Sequence, residues 1–195
     1  MKTNMKTKLN TKLTKQDDLR SGLQAILKGA KQFLLASSLV ASIATGAVAQ
    51  EAVAVAENPD ALFTSADPKL NANKQIVYHI VKDMLEAGHW DEIETYLTPA
   101  YVQHNPAIKS GRDGVLYFFT QVLKVQPKPI PEKMASPVVS VTAEGDFVTV
   151  ATKRVLKDPH DSSKTYTTTW FDMWRIVDGK ANEHWDNATL SEPQL

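Results

Sequence analysis

The sequence predicts an α+β domain in which three N-terminal helices pack against a strongly curved antiparallel β-sheet. Apolar residues repeat with helical spacing as far as Val125, β-type runs fill the chain from Pro137 onward, and Asp178-Gly179 joins the last two of those runs. Asp-Gly between β-type runs favours a primed two-residue turn, because both central residues must take positive φ. Helices first and a meander of strands afterwards is the segregation typical of α+β domains.

From Lys74 to Ala87 the apolar residues Ile76, Val77, Ile80, Val81, Met84 and Leu85 form one helical stripe, and Gly88 is placed to cap its end. Trp90 to Leu97 reads as a short second helix stopped by Thr98-Pro99, and Tyr101 to Pro106 reads as an extended segment. Gly111 to Gly114 lacks the lysine and spacing of a phosphate loop, so it starts the third helix, Val115 to Val125. Pro127, Pro129 and Pro131 stiffen the following connection. Four strands then follow, at 137–143, 147–156, 166–177 and 181–186. Long strands with aromatics on alternate positions are expected to curl around the helices and enclose a conical cavity.

The chain is electrically balanced, with 22 basic and 22 acidic residues, but the balance is uneven along it. A lysine-rich segment, the apolar run Phe33 to Ala47 and the Ala47-Val48-Ala49 site together read as a secretory signal peptide, giving export to the periplasm or medium. A retained membrane anchor is the alternative, although the run is shorter than the roughly 20 apolar residues that span a bilayer. Cleavage after Ala49 leaves fourteen basic against twenty acidic residues. That sign argues against nucleic acid, whose phosphates call for a basic face. With no cysteine in the chain, disulfides, thiol nucleophiles and zinc-thiolate sites are all excluded. The expected organisation is a signal peptide at 1–49, a flexible tether at 50–72, one domain at 73–190 and a short tail at 191–195.

The last strand carries Glu183-His184-Trp185-Asp186. Side chains alternate across a strand, so His184 and Asp186 share one face and Glu183 and Trp185 the other. His184 and Asp186 are therefore candidates for proton transfer if their face lines a cavity, or a solvated pair if it meets water. His104 is a third candidate, the alternative being that it pins the turn at Asn105-Pro106. Asp172 stands among Trp170, Phe171, Met173 and Trp174 and needs a partner there, such as Arg175, Arg112 or a histidine. Trp170, Trp174, Trp185, Tyr101 and Phe119 are the candidate ligand contacts; packing in a core or a dimer is the other use of such side chains. Two histidines and a carboxylate would suffice for a metal, yet no His-x-His or His-x-x-x-His pair supports one, and no metal is expected.

Three stretches together carry a resemblance: Tyr101-x-Gln103-His104-Asn105-Pro106, Gly111-Arg112-Asp113-Gly114 before Phe118-Phe119, and Phe171-Asp172-Met173-Trp174-Arg175 followed by Glu183-His184-Trp185-Asp186. In order and spacing the chain resembles the SnoaL-like polyketide cyclases, of the nuclear-transport-factor-2-like superfamily, over about residues 73–190. The resemblance implies a cone of helices wrapped by a curved sheet, a homodimer, and an intramolecular aldol condensation without cofactor. It matches Asp186 to the acid/base carboxylate, with His184 and His104 as hydrogen-bond donors. Proton removal next to a carbonyl needs a desolvated base and a donor for the enolate. Two functions follow as expectations: an exported cyclase-, aldol- or isomerase-type enzyme for an apolar carbonyl compound, or a non-catalytic binder of a hydrophobic small molecule in the same pocket. Polyketide ring closure belongs to the cytoplasm, so export points to a different substrate.

Overall fold

The structure is a computed structural model and describes residues 51–190; the expected signal peptide and the C-terminal tail lie outside the described residues. Helix α1 spans Pro68–His79 and widens into a π-helical stretch, Ile80–Glu86. It begins six residues before the predicted start, because Pro68 occupies the first turn and the Asp67 side chain accepts the Leu70 N–H at 2.9 Å. Gly88 ends it as expected, with φ +81°, and a side chain there would press on the Gln126 carbonyl. Helix α2 is the single turn Ile93–Tyr96, and α3 is Arg112–Tyr117, again widening at Phe118–Val122.

The strands are β1 (Leu97–Gln103), β2 (Val138–Glu144), β3 (Phe147–Lys157), β4 (Thr165–Val177) and β5 (Lys180–Asp186). Asp178 and Gly179 both have positive φ, as the β4–β5 hairpin requires. The sheet corrects the predicted fold class. It is one open, mixed sheet in the order β1-β5-β4-β3-β2, neither closed nor strongly curled, and β1 runs parallel to β5. Curling was expected from strand length and aromatic alternation. Bends in long strands come from bulges, however; the register shifts fall within β1, at Val138/Ser140 of β2 and at Arg175/Ile176 of β4, while the long central pair β3 and β4 runs through eleven successive partners without one. The parallel strand escapes the sequence reading because its partner lies some eighty residues away and Thr98-Pro99 looked like a helix stop.

The expected tether is also corrected. Phe63, in a 3-10 turn at Asp60–Phe63, is fully buried in the core, Ala56 N–H donates to the Val138 carbonyl at 2.8 Å, and Val53 N–H donates to Thr167 Oγ1 at 2.9 Å. Burying one phenylalanine is worth roughly 2 kcal/mol, enough to hold a short segment that lacks helical periodicity. Val77, Met84, Val138, Val148 and Val150 complete the innermost core between helices and sheet. No helix among the described residues is long and apolar enough to cross a membrane.

Candidate functional site

Between the helices and the inner face of the sheet lies a cavity of about 510 Å³. Both π-helical stretches contribute to its apolar walls, through Ile80, Met84, Phe118 and Phe119. The opposite wall is β4 and β5. Strand alternation sends Trp170, Asp172 and Trp174 of β4, and His184 and Asp186 of β5, into the cavity. β1 adds Tyr101 and Gln103, and the turn after it adds Asn105.

The polar groups form one connected set. Asp172 and Asp186 are direct cross-strand partners in the β4–β5 register. His184, only 6% exposed, lies with Nε2 3.1 Å from Asp172 Oδ1 and Nδ1 2.8 Å from Gln103 Oε1. The Trp170 indole N–H donates to the same Asp172 oxygen at 3.1 Å. Asp186 accepts the Asn105 side-chain N–H at 2.7 Å and the Ala188 backbone N–H at 2.9 Å. Like charges directly opposite each other on a sheet repel. The imidazole and the amide donors between and around the two carboxylates offset that repulsion.

Tyr101 closes the set from below and is 3% exposed. Burial pushes its hydroxyl well above the ordinary 10.0, a hydrogen bond from the Trp174 indole opposes this, and the charges of Asp172 and Asp186 add to it. The phenol therefore keeps its proton.

The sequence-predicted residues divide between those that line the cavity and those that do not. His184, Asp186, Trp170, Trp174, Tyr101 and Phe119 line the cavity. Asp172 lines it too, and its partner proves to be His184 rather than either arginine. Trp185 and His104 do not line it; their rings stack with centroids 5.0 Å apart, and His104 Nε2 lies 2.9 Å from Glu183 Oε1. Arg175 pairs with Glu183 at 2.9 Å, and Arg112 with Glu94 at 2.8 Å, so neither reaches the site. Gln103 and Asn105 were missed. The signal was available, since Tyr101, Gln103 and Asn105 share one parity along an extended segment and His104 has the other.

One atom each of Asp172, His184 and Asp186 lies within 4.8 Å of the others, so a divalent ion could bridge these three side chains. The fold creates that grouping from residues whose spacing gave no metal motif. In the observed arrangement His184 Nε2 faces Asp172 rather than open space.

The profile of the SnoaL-like domain matches residues 79–184, which is more than half of the chain and includes the whole polar set except Asp186. The chain belongs to the SnoaL-like domain family. Among curated proteins none matches it. Solved structures similar to this SnoaL-like chain include TsrD from Streptomyces laurentii, at 18% identity and a TM-score of 0.41, covering 63% of this chain and 90% of that one. A nuclear-transport-factor-2-like protein of unknown function from Burkholderia pseudomallei is similar at 18% identity and a TM-score of 0.44, over 60% and 89% of the two chains. TerC, crystallised with polyporic acid, is similar at 18% identity and a TM-score of 0.43, over 59% and 89%.

Proposed function

We propose that this SnoaL-like protein is an acid/base enzyme that acts on an apolar, carbonyl-bearing small molecule. One observation carries the reading: Asp172, His184 and Asp186 stand together on the wall of a predominantly apolar cavity large enough for such a molecule. In this reading Asp186 removes the proton next to the carbonyl. Its two donors hold the carboxylate in place while the Tyr101 hydroxyl supplies a hydrogen bond to the developing enolate oxygen and the His184–Asp172 pair holds a proton beside it. Side chains suffice for these steps, and the reaction types they serve are aldol condensation, ring closure and double-bond isomerisation. A positioned base contributes about 10²- to 10⁴-fold, and one oxyanion donor about 10²- to 10³-fold.

Export is part of the proposal and rests on the basic leader, the apolar run and the Ala-x-Ala site. Sequencing the N-terminus of protein recovered from periplasm or medium should find Gln50. The chemistry is tested by hydrogen–deuterium exchange at the α-carbon of a panel of apolar ketones in heavy water. Exchange catalysed by the wild type and lost in Asp186→Asn supports the enzyme. Saturable ketone binding with no exchange overturns it and leaves a binding module.

A further inference from the structure

Two side-chain amides hold the polar set, and backbone donors fix which way each is turned. Gln103 Oε1 accepts the Asn105 backbone N–H at 2.9 Å and lies 2.8 Å from His184 Nδ1. A backbone N–H only donates, so the Gln103 atom at that position must be its oxygen. An amide oxygen only accepts, so His184 Nδ1 must carry a hydrogen. The same argument orients Asn105. Its Oδ1 accepts the Ala107 N–H at 2.9 Å, which leaves its NH₂ to donate to Asp186 Oδ2 at 2.7 Å.

We infer that Gln103 is a positioning residue that locks His184 as the Nδ1–H tautomer, making Nε2 the nitrogen through which His184 exchanges its proton with Asp172. The inference rests on the acid/base reading of the site and deepens it. Asp172 Oδ1 already accepts the Trp170 indole N–H, so a single further proton occupies the 3.1 Å gap between that oxygen and Nε2. Among the described residues Asp186 meets only donors, from Asn105 and Ala188, and so is held as an acceptor. Two aspartates that are equivalent by register thus receive opposite tasks. Asp172 and His184 form the proton-carrying side of the site, and Asp186 forms the proton-accepting side. The tautomer of a histidine is set by the hydrogen bond at its other nitrogen, and here that bond is made by a residue of a different, parallel strand.

Nitrogen-15 NMR of histidine-labelled protein, recorded where His184 is neutral, tests this directly. The ring signals of His184 are identified by their loss in His184→Gln. In the wild type its neutral ring should be the Nδ1–H form. Gln103→Glu, which keeps an acceptor oxygen, should retain that form, whereas Gln103→Leu should shift the tautomer ratio by about five- to tenfold toward Nε2–H, the worth of one hydrogen bond. Ketone exchange should fall in kcat rather than KM in Gln103→Leu and recover in Gln103→Glu. A wild-type ring in the Nε2–H form overturns the inference, as does a ratio unmoved in Gln103→Leu; if that variant does not fold, the wild-type and Gln103→Glu spectra decide. The expected tautomer in a protein that exchanges no ketone would sink the catalytic reading alone and leave the positioning role standing.

Discussion

Glu183, His184, Trp185 and Asp186 are consecutive in the chain, yet the two faces of β5 give them unrelated surroundings. On the inner face His184 and Asp186 meet Asp172, Gln103 and Asn105 beneath aromatic walls. On the outer face Glu183 and Trp185 meet His104 and Arg175, the latter two roughly four-tenths exposed. Both faces hold an imidazole beside a carboxylate at hydrogen-bond distance, 3.1 Å inside and 2.9 Å outside. Residue type and distance therefore do not separate the two pairs. Enclosure does: the inner pair lines the cavity with its imidazole buried, the outer imidazole is 43% exposed, and electrostatic interactions strengthen where water is excluded.

The sharpest way to break this comparison is to exchange one carboxylate on each face. Asp186→Asn should lower the rate of ketone α-proton exchange by about 10²- to 10⁴-fold while Glu183→Gln leaves it unchanged. Equal losses from the two would show that the face does not matter. The same contrast should appear in stability. Trp174 is 2% exposed and packs against the His184 ring, so Trp174→Ala should cost about 3–5 kcal/mol in urea unfolding. Trp185→Ala, which removes a half-buried ring from the outer face, should cost about 1 kcal/mol.

Tyr101 sharpens the comparison through pH. Burial raises its hydroxyl above the ordinary 10.0 in the folded state, so the folded protein keeps a proton that the unfolded chain gives up. The stability this contributes is fully present below pH 10 and is lost as pH rises through the folded value, by up to about 1.4 kcal/mol per pH unit. Tyr101→Phe should flatten that alkaline decline in melts taken between about pH 9 and pH 11. No outer-face residue should do the same.

The division between faces was itself legible before any coordinates, since period-2 alternation already put His184 with Asp186 and Glu183 with Trp185. Asp178-Gly179, the two long strands it joins and the Gly88 stop were legible for the same local reason. What escaped was non-local. Nothing near Leu97 to Gln103 announces a parallel partner in β5, so the extended segment shows that Gln103 and Asn105 share a side opposite His104 but not which side meets the cavity. The choice of His104 followed the chemistry of its ring rather than its parity. Asp172 was seen to need a partner, but His184 becomes that partner only through the hairpin register. Strong curvature was an inference from aromatic content, and aromatic content by itself does not bend a strand; the central β3–β4 pairing runs its whole length without a bulge.

The smallest expected effect lies on the outer face and concerns Arg175 and Glu183, 2.9 Å apart with side chains 39% and 17% exposed. Glu183 also faces His104, so its charge is shared between two partners. Solvent screens such a pair and both side chains lose freedom to form it, so a double-mutant cycle with Arg175→Met and Glu183→Gln should give a coupling of about 0.2–1 kcal/mol. The coupling should shrink at molar salt, where the screening length falls to about 3 Å. A coupling several times larger that persists in salt would mean the outer face is covered in solution. The environment of Glu183 would then be far closer to that of Asp186 than the isolated chain shows, and the contrast between the faces would rest on ligand access alone.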